Sequence, residues 1–238
     1  MNIVIVIPTK NEANNLKQLN SSIKKSLKNV SYRLCFVDGS DNKTTIKAIK
    51  KIFKRKAHII SERKKNKISS RCYASRLGFK WAIKQKKCDI VVDMDSDLAH
   101  DPKEILTAIK MFRNAEYDLL ISSKYLKHSK VTGRSFFRAF LSKLYTILCK
   151  IIINGSISDY SNSYRFYKKD KLKKLLKVPI RFKSPIQHLQ NLKFFINNNY
   201  KIGEINCNYV ERKGGNSAIK IKHLIFYFYE FVICLAIK

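Results

Sequence analysis

Short apolar stretches alternate with helical patterns along the first half of the chain. Residues 2–7 are almost continuously apolar, which is typical of a strand buried on both faces, and a helical pattern follows at 14–27. The same order repeats with strands at 32–37 and 57–61 and helices at 44–53 and 69–84. This alternation predicts an α/β fold with a mostly parallel sheet and helices on both faces.

The second half of the chain has a different character. We expect a polar loop at 127–134, a long apolar helix at 136–152, a strand and turn at 159–167, and a final strand at 201–210. One large domain therefore covers residues 1–218. The apolar segment 219–238 predicts a helix that lies in a membrane interface, because fifteen apolar residues with Glu230 among them are too few to cross a bilayer. A core helix or a subunit contact is the alternative.

An unusual concentration of carboxylates follows the strand predicted to end near residue 92. The chain has 17 acidic residues against 49 basic ones, and five of the acids fall between Asp89 and Asp101. In extended chain, residues two apart project from the same face, so Asp95 and Asp97 can share one small volume. Two close carboxylates repel each other unless a cation lies between them, and Mg²⁺ or Mn²⁺ fits that role. A solvated acidic loop is the alternative.

Three polar loops each follow the end of a predicted strand, at residues 8–12, 38–41 and 94–101. The carboxyl ends of parallel strands meet at one edge of a sheet, where α/β proteins bind their ligands. We therefore expect these loops to line one site.

The formal net charge of +32 favours phosphate-rich partners, whether nucleic acid, anionic lipid or nucleotide. Lysine outnumbers arginine, and Ile and Asn are abundant, which is the expected drift of an AT-rich genome. The charge alone therefore identifies no partner. The six cysteines have no paired spacing and several lie in apolar runs, which indicates a reducing, cytosol-facing compartment.

Six segments, taken together and in order, resemble the family 2 glycosyltransferases of the GT-A fold. Within that family they are most similar to the polyprenyl-phosphate (dolichol-phosphate) sugar synthases. The segments are residues 8–12 (like Pro-Thr-Tyr-Asn-Glu), 37–40 (Val-Asp-Asp-Gly-Ser), 94–102 (Met-Asp-Ala-Asp-Leu-x-His-x-Pro), 123–125 (Ser-Arg-Tyr), 159–165 (Asp-Pro-Thr-Ser-Gly-Phe-Arg) and 212–217 (Arg-x-x-Gly-x-Ser). The resemblance covers nearly the whole chain and implies a Rossmann-like nucleotide-diphospho-sugar transferase fold.

The resemblance also implies roles for individual residues. Asp95 and Asp97 would hold Mg²⁺ or Mn²⁺ on the donor diphosphate, and Arg165 and Arg212 would complete the catalytic set. The residues implied in binding the nucleotide sugar, GDP-mannose or UDP-glucose, are Pro8, Thr9, Glu12, Asp38, Asp95, Ser96 and Lys124. Those implied in binding the phosphate of a polyprenyl lipid are Arg138, Arg165, Arg212 and Ser217.

The implied activity is an inverting, metal-dependent transfer of a hexose to a polyprenyl phosphate at the cytoplasmic face of a membrane. Mannose is favoured and glucose is the alternative; a membrane-anchoring subunit is a further implied partner. The chain differs from the family pattern at Lys10, Lys124, Ala99 and Ala218. Lys124 replaces an arginine and so loses the bidentate fork that fits a phosphate.

Three other functions compete with this hypothesis. A family member with a saccharide acceptor would need a general base, for which Asp97, His100 and Asp159 are the candidates. A nucleic-acid-binding protein, which we do not expect, would need a continuous basic face and no organised acidic site. A non-catalytic family member is the third.

Overall fold

A seven-stranded sheet lies at the centre of the computed structural model, which describes residues 1–62, 70–153, 157–211 and 224–236. In spatial order the strands are β3 (Ala57–Ser61), β2 (Tyr32–Asp38), β1 (Ile3–Thr9), β4 (Ile90–Asp93), β7 (Arg165–Lys168), β5 (Leu119–Ser123) and β8 (Ile202–Asn206). Neighbouring strands are parallel except at β7, which is antiparallel to both β4 and β5. The predicted α/β architecture with a mostly parallel sheet is confirmed.

Two short strands, β6 (Lys130–Thr132) and β9 (Asn208–Val210), pair in parallel beside this sheet. The helices of the described residues are α1 (Leu16–Ser26), α2 (Thr44–Phe53), α3 (Arg71–Ala82), α4 (Glu104–Asn114), α5 (Phe136–Ile153), α6 (Lys169–Leu175), α7 (Ile186–Asn197) and α8 (Leu224–Ala236). None of these helices has both the length and the apolar character that crossing a membrane requires.

The side chains of strand β1 point alternately into two separate hydrophobic cores. All seven of its residues are buried, because the sheet is covered on both faces. Side chains alternate along a strand, so Val4 and Val6 face α3 and α7 while Ile3, Ile5 and Ile7 face α1, α2 and α4. The sheet thus separates two hydrophobic cores.

Three predictions about the second half differ from the structure. The predicted strand at 159–167 begins only at Arg165, because residues 157–164 form a loop held by the Asp159 carboxylate. The predicted final strand at 201–210 is interrupted at Cys207 and continues in the other sheet. The predicted loop at 127–134 contains β6, which needs β9 as its partner.

Helix α3 lies unusually close to the sheet at Gly78. A Cβ atom at this position would be 2.2 Å from Cγ1 of Val6 and 3.2 Å from Cγ2 of Val37. Both valines belong to buried strands, so the contact cannot be relieved by a movement into solvent.

We predict that Gly78→Ala lowers the free energy of unfolding by about 1–3 kcal/mol, the usual cost of overpacking. This loss outweighs the gain of roughly 1 kcal/mol that alanine normally brings to a helix. Urea denaturation measures the difference, with Lys80→Ala on the exposed side of the same helix as the control. A Gly78→Ala protein as stable as wild type would contradict the close packing of α3 on β1.

Candidate active site

The loops that follow β1, β2 and β4 meet at one edge of the sheet. The amide of Gly39 donates to the carbonyl of Thr9 at 2.9 Å, and the Thr9 hydroxyl donates to Oδ1 of Asp38 at 3.2 Å. The buried Ser96 hydroxyl donates to the carbonyl of Pro8 at 3.2 Å. The structure therefore brings together the predicted donor-site residues Pro8, Thr9, Asp38 and Ser96.

Asp38 is fully buried, yet one of its oxygens has no protein partner. Oδ1 accepts hydrogen bonds from the hydroxyls of Thr9 and Ser40, whereas Oδ2 has no partner among the described residues. A buried acceptor without a partner costs free energy until a donor reaches it. Glu12, also buried, accepts from the side-chain amide of Asn15 at 2.5 Å. Asp38 is thus arranged to accept a hydrogen bond from a ligand.

The acidic loop after β4 is held in place by its own backbone. The amide of Asp95 donates to Nδ1 of His100 at 3.0 Å, and the amide of Ala99 donates to Oδ1 of Asp97 at 3.1 Å. Leu98 between them has a φ of 69°, a left-handed conformation that is uncommon for such a side chain. Asp95 and Asp97 are partly exposed, whereas Asp93 is buried.

Arg71, at the first position of α3, joins two of these carboxylates. Its Nη1 and Nη2 lie 3.1 and 3.2 Å from the two oxygens of Asp93, and its Nε lies 2.5 Å from Oδ1 of Asp95. Burial alone, the largest single effect, would raise the pKa of Asp95, but the charge of Arg71 together with the hydrogen bonds from Arg71 and Ser163 lowers that pKa to about 2. Burial of Asp93 is the larger effect there and raises its pKa.

Sequence reasoning missed Arg71. It lies 24 residues before Asp95, within a stretch rich in lysine and arginine. Neither periodicity nor charge distinguishes it from its neighbours, so only the placement of α3 beside β4 identifies it.

The donor set at Asp95 and Asp97 is compatible with the Mg²⁺ or Mn²⁺ that the resemblance implies. Both ions take carboxylate oxygens and leave the remaining positions to phosphate and water. Within the described ranges, no group of three or more His, Cys, Asp or Glu side chains could hold a metal ion. The two carboxylates would therefore need the donor diphosphate to complete the coordination.

Lys124, predicted to bind the donor, forms a buried ion pair instead. Its Nζ lies 3.0 Å from Oδ2 of Asp159, and the two side chains are 7% and 0% exposed. The same carboxylate accepts from the amides of Lys124, Ser161 and Asn162. Burial would raise the pKa of Asp159, but Lys124 and these donors lower it. The prediction that Lys124 contacts the donor is corrected: it neutralises the carboxylate that shapes the 157–164 loop.

Arg165 is also structural. It is fully buried, and its guanidinium donates to the carbonyls of Asn162 at 3.0 Å, His188 at 2.7 Å and Tyr160 at 3.3 Å. A guanidinium held in this way cannot reach a substrate phosphate. The prediction that Arg165 is catalytic and binds the acceptor phosphate is therefore wrong in this structure.

The roles of the remaining residues predicted to bind the acceptor phosphate stay predictions. Arg212 and Ser217 lie outside the described residues. Arg138 belongs to the first turn of α5, but its side chain is outside the described part.

We predict that Lys124→Met destabilises the protein by about 3 kcal/mol, because it leaves a buried carboxylate without its cation. The double variant Lys124→Met/Asp159→Asn removes both charges and should recover most of that loss. Chemical denaturation of the three proteins measures both effects. Equal stability of the single variant and wild type would return Lys124 to the phosphate-binding candidates.

The fold is that of the GT-A glycosyltransferases. Glucosyl-3-phosphoglycerate synthase from Mycobacterium tuberculosis, solved with Mn²⁺, uridine diphosphate and phosphoglyceric acid, superposes with a TM-score of 0.70. The alignment covers 98% of this chain and 77% of that one at 17% sequence identity, a likeness of fold alone.

Residues 4–176 match the profile of glycosyl transferase family 2, and the chain belongs to this family. It is 30% identical over 230 residues to a dolichol-phosphate mannosyltransferase of Pyrococcus furiosus, covering 95% of the chain and 62% of that relative. It is 25% identical over 216 residues to a polyprenol monophosphomannose synthase of Mycolicibacterium smegmatis, covering 90% of the chain and 79% of that relative. The family resemblance predicted from the six motifs is confirmed. The chain spans less than two thirds of the length of the Pyrococcus protein.

Proposed function

We propose that the chain transfers a hexose, mannose in the first instance, from a nucleotide sugar to a polyprenyl phosphate with inversion at the anomeric carbon. The observation that carries the proposal is the acidic edge of the sheet, where Asp38, with its unpartnered oxygen, contacts Thr9, and the loop containing Asp95 and Asp97 contacts the neighbouring Pro8. The names of the two curated relatives supply the sugar and the acceptor.

The donor lies across the loops after β1, β2 and β4. In this proposal Oδ2 of Asp38 accepts a hydrogen bond from the nucleoside, and Glu12 is a further donor-binding residue. Asp95 and Asp97 would hold Mg²⁺ or Mn²⁺, which would neutralise the charge that develops on the departing nucleoside diphosphate.

The environments of Asp159 and His100, two of the three candidate bases, favour an anionic acceptor over a saccharide hydroxyl. A hydroxyl needs a base to remove its proton, whereas a lipid phosphate is already ionised. Asp159 is buried and bonded to Lys124, and His100 is stacked on Tyr164 with its Nδ1 occupied by the Asp95 amide. Burial also lowers the pKa of His100 to about 4, so this imidazole is a weak base. Arg138, Arg212 and Ser217 are the acceptor-phosphate residues of this proposal.

An apolar face beside the site suits a lipid acceptor. Helix α5 exposes large hydrophobic side chains along its length: Phe136, Phe137, Phe140, Leu144, Ile147, Leu148, Ile151 and Ile152. Helix α8 packs against it through Tyr145 and Phe231, whose rings are 5.5 Å apart, and exposes Ile225. Ser142 of α5 hydrogen bonds with Ser161 of the 157–164 loop at 3.0 Å. We infer that this face contacts the cytoplasmic side of a membrane, with or without an anchoring subunit.

The activity is tested with purified protein, Mg²⁺ or Mn²⁺, a polyprenyl phosphate, and GDP-mannose or UDP-glucose. We expect lipid-linked sugar from one donor, and a loss of about 100-fold or more in Asp97→Asn, because one charge-stabilising group is removed. Asp89→Asn, at the opposite end of β4, is the matched control and should retain activity.

Three outcomes would contradict the proposal. Full activity of Asp97→Asn, or activity in the presence of a chelator, would overturn the metal-dependent mechanism. Transfer to a saccharide but not to the lipid phosphate would favour the second acceptor class. Donor binding without any transfer would indicate a non-catalytic family member.

We predict that the protein binds vesicles of phosphatidylcholine and phosphatidylglycerol, and that Phe140→Ser/Ile151→Ser weakens binding at least about tenfold. Burying each of these side chains in lipid is worth roughly 1.5–3 kcal/mol. Cosedimentation measures the change, with Leu106→Ser on α4, across the sheet, as the control. A stable dimer without vesicle binding would assign the face to a subunit contact instead.

A further inference from the structure

Asp93 holds Arg71 in a fixed position. Asp93 is the last residue of β4 and is 1% exposed, so its carboxylate has little freedom. Both of its oxygens accept from the two terminal nitrogens of Arg71, and Oδ1 also accepts from the Ser75 hydroxyl at 3.0 Å. A bidentate pair of this kind fixes the plane of the guanidinium. The orientation of Arg71 is therefore set by a residue that faces away from solvent.

The third guanidinium nitrogen of Arg71 hydrogen bonds to an oxygen of Asp95, which is a predicted metal ligand. Nε approaches Oδ1 of Asp95 to 2.5 Å, while Oδ2 of Asp95 accepts from the Ser163 hydroxyl at 3.2 Å. The side chains of Arg71 and Asp95 are 28% and 26% exposed, so this ion pair is only partly shielded from solvent. The positive charge of Arg71 is thus already paired with the carboxylates of Asp93 and Asp95.

We propose that Arg71 is a resident cation of the donor site that competes with the divalent metal ion for Asp95. The inference rests on the proposed function and concerns how the metal is admitted. A hard cation needs the carboxylate oxygen at about 2.0–2.6 Å, where a guanidinium bonded to the same oxygen repels it. Arg71 keeps its two bonds to Asp93, which hold the guanidinium in place, and its freed Nε–H would then be available to an oxygen of the donor diphosphate. Metal and diphosphate therefore bind together more readily than metal alone.

The test measures Mn²⁺ binding to the whole chain without nucleotide, by electron paramagnetic resonance of the free ion. The main variant is Arg71→Met/Asp93→Asn, which removes the competitor together with its buried counter-charge. Because one positive and one negative charge leave together, the local net charge is unchanged and the competition is isolated. We expect this variant to bind Mn²⁺ at least about tenfold more tightly than wild type, since the guanidinium no longer occupies Oδ1 of Asp95.

Two further variants keep the test decisive. Arg33→Met removes an exposed arginine bonded to Gln85, and should leave Mn²⁺ affinity unchanged. Arg71→Lys retains the charge but lacks the planar fork, so it cannot hold Asp93 and Asp95 at once and should bind Mn²⁺ several-fold more tightly than wild type. This conservative variant replaces the double variant if circular dichroism shows that the latter is unfolded.

The outcomes separate this inference from the proposed function. Equal or weaker Mn²⁺ affinity in the folded Arg71 variants, or no Mn²⁺ binding in any of the proteins, overturns the competition. If the wild type nevertheless transfers sugar, the proposed function stands without it. Tighter binding in the variants, with no transfer of sugar to any lipid phosphate by the wild type, supports the competition and overturns the proposed function.

Discussion

The parallel pairing of β1 with β2 and β4 is the constraint on which the site depends. Its register places Thr9 opposite Asp38 and Val6 opposite Asp93, so the three strands end at one edge. The pairing is fixed by burial on both faces, because a slip of one residue would exchange the two hydrophobic cores. The positions of the polar side chains at the edge thus follow from apolar residues several positions earlier in each strand.

This dependence explains which features could be predicted from the sequence. Continuous apolar strands and amphipathic helices such as α1, with Leu16, Leu19 and Ile23 buried, are local patterns that the sequence displays directly. The meeting of the loops after β1, β2 and β4 follows from parallel topology alone. The insertion of β7 between β4 and β5, in the opposite direction, does not, because it depends on partners more than 40 residues away in sequence.

The basic residues show why a motif can be recognised and its chemistry still misassigned. Lys124 and Arg165 occupy motif positions, but both side chains are buried. Lys124 is paired with Asp159, and Arg165 donates its hydrogen bonds to backbone carbonyls. The sequence shows which residues are charged but not whether their side chains are buried. Arg71 presents the reverse case, since no motif marks it and only the packing of α3 on the sheet brings it to Asp95. For the same reason the net charge of +32 says little about partners: an organised acidic edge opposes a nucleic-acid backbone.

In the proposed function the acidic edge receives a donor and an acceptor that are both anionic, which requires its own negative charge to be balanced. Asp93 could not remain buried as a carboxylate without a paired cation, and Arg71 provides that cation. Once Arg71 is present for Asp93, its remaining nitrogen reaches Asp95 because the two carboxylates lie near one another at the end of β4. A residue required by the stability of a buried acid thereby also contacts Asp95, the predicted metal ligand. In the competition that we propose, one side chain therefore both stabilises the buried Asp93 and limits how readily a metal ion reaches Asp95.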